Sequence, residues 1–217
     1  YWYPVRISNM VLAYNPEKTK KEDLAQTFKE FAEKESLTGK ISMSDPLKSG
    51  TALAAISGLK DKYKEEYFTN LAKRKVAIEA GSVALTKLET GEMDELMILE
   101  ESVLKKRQDD NSSLEVIYPK DGTIVVPSPI MVVDEKLTEN KNTKAAEAIS
   151  KWFLSEEGQK YIVKGWMHSV LKDFPEVPYD AIKTSEITSN SINVKWEQLV
   201  KDRDSLRKMF TDTIGKK

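Results

Sequence analysis

The sequence predicts an α/β protein, and three observations carry that reading. Short apolar runs of strand length alternate with amphipathic stretches of helical period. Two junctions share one pattern, an extended run, a turn of small residues and then a helix, at 40–59 and again at 76–88. The chain has 217 residues, 40% of them apolar, which is enough for one large domain or two small ones.

Composition narrows the function classes. The 34 basic side chains nearly cancel the 35 acidic ones, so no bulk field favours nucleic acid and any partner must be recognised locally. There is no cysteine, which excludes disulfides, thiolate zinc sites and a cysteine nucleophile, and which fits export without requiring it. No apolar run reaches the length of a membrane helix. The opening Tyr1-Trp2-Tyr3-Pro4-Val5 lacks the basic and apolar regions of a signal peptide and reads as a processed or truncated start.

The elements follow in order. Residues 6–14 read as a strand that ends at the turn Asn15-Pro16. Leu24, Phe28, Phe31 and Ala32 recur at helical spacing and predict a surface helix over 21–35, closed by Gly39. A short strand at 40–44 then meets Asp45-Pro46, passes through Ser49-Gly50-Thr51, and enters a helical apolar run at 52–59. A helix starts with unpaired N–H groups and partial positive charge, glycine permits close approach, and hydroxyls add donors. Ser49, Gly50 and Thr51 are therefore candidate ligands for a phosphate or phosphonate; Ser49 reads equally as a plain N-cap.

Tyr63, Tyr67 and Leu71 place a second amphipathic helix over 61–75, with its aromatic stripe in the core. A strand at 76–78 leads through Glu79-Ala80-Gly81-Ser82 into another helix, which makes Ser82 a second candidate N-cap and anion donor. Gly91-Glu92 closes that helix. The buried-looking strand Leu96-Met97-Ile98-Leu99 runs directly into Glu100 and Glu101. Ligands of open α/β sheets bind at the carboxyl ends of strands, so this pair is a candidate site; equally, acidic residues stabilise the first turn of a helix, here the one at 102–108.

After a polar loop at 109–113 comes a strand at 114–118, and Pro119-Lys120-Asp121-Gly122 signals a turn. The extended apolar run 123–133 carries Pro127 and Pro129, which confines it to a sheet edge or a crossover. Helices dominate the rest. Ala145, Ile149, Trp152 and Phe153 define one; Ser155 caps the next, with Tyr161 and Ile162; Phe174-Pro175-Glu176-Val177-Pro178 is a rigid connector; and Trp196, Leu199, Leu206 and Phe210 define a long last helix ending at Gly215.

Catalytic parts are missing from this inventory. His168, near Trp166, is the single histidine and reads as a packed side chain. Metal-ligand spacings, a serine triad and glycine-rich nucleotide loops do not occur, so the sequence points to binding rather than to an enzyme, with no cofactor.

Four segments, in order, carry a family resemblance: Gly39-Lys40-Ile41-Ser42-Met43-Ser44-Asp45-Pro46 with Ser49-Gly50-Thr51-Ala52; Gly91-Glu92; Ile117-Tyr118-Pro119-Lys120-Asp121-Gly122-Thr123; and Leu154-Ser155-Glu156-Glu157-Gly158-Gln159. Together they resemble the extracellular solute-binding proteins of ABC importers, in the ferric-iron and phosphonate branch. Trp2-Tyr3-Pro4 and Tyr14-Asn15 resemble the first crossing between that family's two lobes. The resemblance implies the type II periplasmic-binding-protein fold, with one complete lobe, a mixed sheet flanked by helices, plus the C-terminal part of the other lobe.

It further implies a crossover at 1–14, a second lobe at 15–118, a returning part of the first lobe at 119–175, and a connector and C-terminal helix packing on the second lobe at 176–217. Members are longer, so the chain looks like the C-terminal two-thirds of a larger, extracytoplasmic protein, periplasmic or a cell-surface lipoprotein. Its implied partners are a small anion or zwitterion and a membrane permease. The Ser-Gly-Thr turn implies an anion role for Ser49, Gly50 and Thr51. The iron binders carry paired tyrosines after Gly-Glu; here that region reads Leu99-Glu100-Glu101-Ser102-Val103, which favours a zwitterion such as an aminoalkylphosphonate over ferric ion with a synergistic anion. A strand at 123–133 without partners predicts a homodimer or domain swap.

Overall fold

The computed structural model describes residues 2–139 and 142–215; Tyr1, assigned above to the crossover, lies outside them. The chain is organised around one long strand, β1 (Trp2–Tyr14). Its first residues are exposed, whereas Ser8 to Tyr14 are buried at the middle of a mixed sheet.

The flanking strands are β2 (Ile41–Ser44), β3 (Ala77–Glu79), β4 (Glu95–Leu99), β5 (Glu115–Ile117) and β6 (Ile124–Met131). The order is β3-β2-β4-β1-β5, with β6 also paired to β1. β2 runs parallel to β3 and β4, while β1 is antiparallel to β4, β5 and β6. Apolar residues on both faces of β4 follow from burial on both sides, whereas β2 alternates, with Ile41 and Met43 on one face and Ser42 and Ser44 on the other. Ile41, Met43 and Met97 face the larger core, and Leu96 and Ile98 face the smaller one.

The larger core is covered by α1 (Phe28–Glu33), α2 (Gly50–Tyr63), α3 (Glu66–Lys73) and the last helix. On the other face lie α4 (Gly81–Thr90) and α5 (Glu100–Asp110), with Ala84, Leu85, Leu88 and Val103 against Leu96 and Ile98. The remaining helices are α6 (Thr143–Phe153), α7 (Glu156–Lys164), α8 (Thr184–Ser189) and α9 (Trp196–Ile214). α9 buries Leu199, Leu206, Phe210 and Ile214 and packs on α2 and α3, where the Phe68 and Phe210 rings meet edge-on at 6.2 Å.

Two predicted helices are broken. The stretch 21–35 is a 3-10 turn at Lys21–Asp23, then α1, then a second turn at Glu35–Leu37. Thr27 is extended and caps α1 by accepting from the Glu30 N–H, while Asp121, from the turn before β6, accepts from the Phe28 and Lys29 N–H groups. A long-range carboxylate thus fixes a start the helical period alone did not reveal. The stretch 61–75 splits at Lys64, whose φ is 64°, into the end of α2 and α3. Tyr63 and Tyr67 stack across the break at 5.6 Å, so the spacing survives as a contact rather than as one helix.

The Ser155-to-Gln159 motif has a structural explanation. Ser155 caps α7, accepting from the Gly158 N–H at 3.1 Å. Gln159 is fully buried with both ends of its amide used: Nε2 donates to the Val5 and Phe153 carbonyls, and Oε1 accepts from Ser169 Oγ and the Val170 N–H. Gly158 is required because a Cβ there would lie 2.1 Å from the Trp152 carbonyl oxygen. Gly158→Ala is expected to destabilise the protein by about 1–3 kcal/mol through forced backbone displacement, seen as a lower urea midpoint with unchanged slope.

The run 123–133 forms an edge, as its prolines indicate, but it is not the strand without partners that the sequence predicts, because β1 extends far enough to pair with all of β6. β6 pairs with β1 from Met10 back to Trp2, with a bulge between Pro4 and Arg6 and with Pro127 opposite Ile7. Beyond Val126 this ribbon leaves the core, and Trp2, Tyr3, Met131 and Val133 are more than half exposed. α6 packs on α7 and buries none of its own residues. Among the described residues no helix is long and apolar enough to cross a membrane.

Candidate functional site

Because β2, β3 and β4 are parallel, α2, α4 and α5 all begin at the same edge of the sheet. A hollow of about 360 Å³ lies there. Its polar wall comes from Ser44 at the end of β2 with Asp45, Lys48, Ser49 and Thr51 after it, from Glu79 at the end of β3 with the backbone of Ala80 and Gly81 after it, and from Ser102 in α5; Met10, Ile78, Ile98 and Leu99 form the apolar part.

The first turn is built from Asp45. Its Oδ1 accepts from the Leu47 N–H at 2.9 Å, its carbonyl accepts from the Lys48 and Ser49 N–H groups, and Lys48 Nζ lies 3.8 Å from the carboxylate. Ser49 then caps α2, accepting from the Ala52 N–H at 3.2 Å, and its Oγ lies 3.0 Å from Thr51 Oγ1. Both readings of Ser49 meet here, since the capping hydroxyl also lines the hollow. Gly50 is exposed, lies off the lining, and a Cβ there would meet open space, so this turn does not need glycine for its own geometry.

Ser82 is not the cap of α4. The Ala80 carbonyl accepts from the Ala84 N–H at 3.0 Å, so the helix starts at Gly81 and leaves Ser82 exposed in its first turn. The cause is pairing of β3 with β2 through Glu79, which ends the strand one residue before Ala80. The N-terminus of α4 has no side-chain cap, and Ala80 and Gly81 bring it to the hollow.

Glu100 and Glu101 are also absent from the lining and turn toward β1. Glu100 is 1% exposed and accepts from Tyr118 OH, from His168 Nε2 at 2.8 Å and from Asn9 Nδ2 at 3.4 Å. Burial and the Glu100 charge together push the Tyr118 phenol well above its ordinary pKa, which keeps it a donor. His168 Nδ1 lies 3.0 Å from Thr184 Oγ1, so the histidine is a packed core residue. Glu101 accepts from Ser8 Oγ at 2.8 Å, and desolvation raises its pKa despite that bond.

The side chains that sequence reasoning passed over are Ser44, Asp45, Lys48, Glu79 and Ser102. Glu79 carried a usable signal, as the last strand residue before a small-residue turn. Among the described residues no group of three or more His, Cys, Asp or Glu side chains is placed to hold a metal ion.

The sequence profile of the bacterial extracellular solute-binding protein family matches residues 1–202. The chain belongs to this family. It is thus a binding protein of ABC-type transport, a family that captures small solutes rather than catalysing reactions. No curated protein matches the sequence.

Among solved structures, the chain is similar to iron-bound HitA from Pseudomonas aeruginosa, with a TM-score of 0.79 and 21% identity over 96% of this chain and 69% of that one. AfuA from Actinobacillus pleuropneumoniae with fructose-6-phosphate bound gives 0.79 and 22% over 100% and 69%. Trichodesmium IdiA (FutA) with iron and citrate gives 0.76 and 17% over 100% and 70%. These likenesses establish the type II periplasmic-binding-protein fold.

Proposed function

We propose that the chain captures a small anionic or zwitterionic solute bearing a phosphate or phosphonate and hands it to a membrane permease. One observation carries this reading: the N-termini of α2 and α4 and the hydroxyls of Ser49, Thr51 and Ser102 converge on one hollow at the carboxyl ends of parallel strands. Unpaired N–H groups and helix dipoles favour an anion there, and the hydroxyls supply further donors. The fructose-6-phosphate of AfuA is a ligand of the same chemistry.

In this reading Ser49 and Thr51 hold the anion through their hydroxyls, the uncapped start of α4 at Gly81 contributes backbone N–H, Gly50 and Ser82 stand outside the hollow, and Glu100 and Glu101 hold the scaffold. Ser49→Ala combined with Thr51→Ala is expected to weaken binding of inorganic phosphate or ethylphosphonate by about 1.5–3 kcal/mol per lost bond. Calorimetry giving an unchanged affinity would remove the claim. Loss of the cap alone costs about 1 kcal/mol of stability, which a melting curve separates from the binding effect.

A second reading, ferric ion with a synergistic anion, is favoured by the iron named for HitA and the iron and citrate named for IdiA. The carboxylates of Asp45 and Glu79 are hard donors at the hollow, and the anion would complete the set. Iron retained by the chain after ferric salt and citrate are added and the free metal is removed by desalting, and lost in Asp45→Asn combined with Glu79→Gln, supports this reading; a chain that retains no iron overturns it.

We also propose that 1–14 is the crossover, 15–118 the second lobe, 119–175 a returning part of the first lobe and 176–217 the connector and last helix. The mature protein is in this view a periplasmic or lipid-anchored receptor. The bare ribbon around Trp2, Tyr3 and Met131 supports dimer formation by this chain. Light scattering at the mass of one chain, 24.6 kDa, would count against it.

A further inference from the structure

A second hollow, of about 420 Å³, lies at the far end of α5, where Gln108, Asp109, Lys164, Trp166, Glu176 and Tyr179 line it. Ser102 of the same helix borders the first hollow, about 10 Å away along the axis. α5 therefore turns the positive end of its dipole to one hollow and the negative end to the other. α7 also ends here, since Lys164 is its last residue. The closing carbonyls of a helix lack intrahelical partners, so both helix ends favour a cation. The proline-flanked connector 175–178 sets Glu176 against those ends.

Side chains add to that field. Asp109 and Glu176 are exposed, and among the described residues neither carboxylate has a hydrogen-bond or salt-bridge partner. Trp166 is fixed to α5 by its Nε1–H, which donates to Gln108 Oε1 at 2.7 Å. Trp166 and Tyr179 both hold left-handed backbone, with φ of 64° and 47°. Bulky side chains avoid that region, and such strain persists where the surroundings over-determine it, commonly at functional sites. Both rings already attract the chain's own cations, with Lys105 Nζ 5.4 Å from the Trp166 ring and Arg107 5.6 Å from that of Tyr179. Arg107 is neutralised by Asp180 at 2.7 Å, and Lys164 sends its ammonium over Tyr161. Aromatic faces, unpaired carboxylates and helix C-termini in one hollow suit a planar cation with several donors better than a compact ammonium. We propose that this hollow binds a guanidinium group, held by Asp109 and Glu176 against Trp166. The site is separate from the anion hollow and stands whichever solute that hollow takes.

The test is an NMR titration of this chain that follows the Trp166 indole N–H, assigned with Trp166→Phe. The probes are butylguanidinium, an acetylated and amidated alanine-arginine-alanine tripeptide, and the same tripeptide with neutral citrulline in place of arginine. Both guanidinium probes are expected to shift the resonance, and the citrulline peptide to leave it in place. Tighter binding of butylguanidinium supports the site as one for a free solute; tighter binding of the arginine peptide supports it as one for an arginine of a protein partner. Asp109→Asn combined with Glu176→Gln changes two exposed side chains, leaves the core untouched, and is expected to weaken both probes by about fivefold. No shift with either guanidinium probe, equal shifts from the arginine and citrulline peptides, or affinities unchanged in the double variant would each overturn the site.

Discussion

Glu100→Ala is expected to destabilise the protein by about 3–5 kcal/mol, a large part of the stability of a domain this size. Glu100 accepts from Tyr118, His168 and Asn9 and is 1% exposed. Those partners lie on the end of β5, on the segment that bridges to Ile7, and on β1, so one carboxylate ties four parts of the chain together. Removing it leaves a phenol, an imidazole and an amide buried without their acceptor, and each retains its full desolvation cost.

Breaking such a network costs far more than replacing it whole by apolar groups, so single substitutions are the informative ones. Glu100→Gln keeps the volume and one acceptor oxygen and is expected to fall between wild type and Glu100→Ala in urea unfolding. A double-mutant cycle of Glu100→Gln with His168→Asn should show a coupling of about 1 kcal/mol or more. Additive effects would mean that the 2.8 Å contact contributes nothing of its own.

The same residue shows where sequence reading succeeds and where it stops. Features set by nearby residues were legible: the cap at Ser49, the left-handed Gly91 that ends α4, the cap at Ser155 and, in α9, the buried Leu199, Leu206 and Phe210, although Trp196, read with them, is 41% exposed and the buried Ile214 was not read. The direction in which Glu100 and Glu101 point was not, because it depends on β1, some ninety residues earlier, lying beside β4. Ser82 failed for a related reason, since pairing between β2 and β3 moved the helix start. The Ser-Gly-Thr turn was therefore readable as one wall of a site, whereas the opposite wall, with Glu79, appears only when β3 is laid against β2.

Glu95 provides the other large effect, one of pH. It opens β4, is fully buried, and its Oε2 accepts from the Ala25 N–H at 3.1 Å while Oε1 has no partner. Burial pushes its pKa up to about 8, outweighing the Ala25 bond and Lys34, which lower it, while Glu30 and Asp94 raise it slightly. The folded state therefore holds a proton that the unfolded chain releases near its ordinary pKa of 4.5. Its contribution to stability is complete below pH 4.5 and is lost as the pH rises to about 8. Within that window the slope approaches about 1.4 kcal/mol per pH unit, a total of about 3–5 kcal/mol. Glu101, also raised, acts in the same direction. Glu95→Gln removes the titration, so the variant should be the more stable protein at pH 9 and lose its advantage toward pH 5. Urea midpoints that run parallel for the two proteins across this range would show that Glu95 is already ionised in the fold. The carboxylate would then need a donor for Oε1.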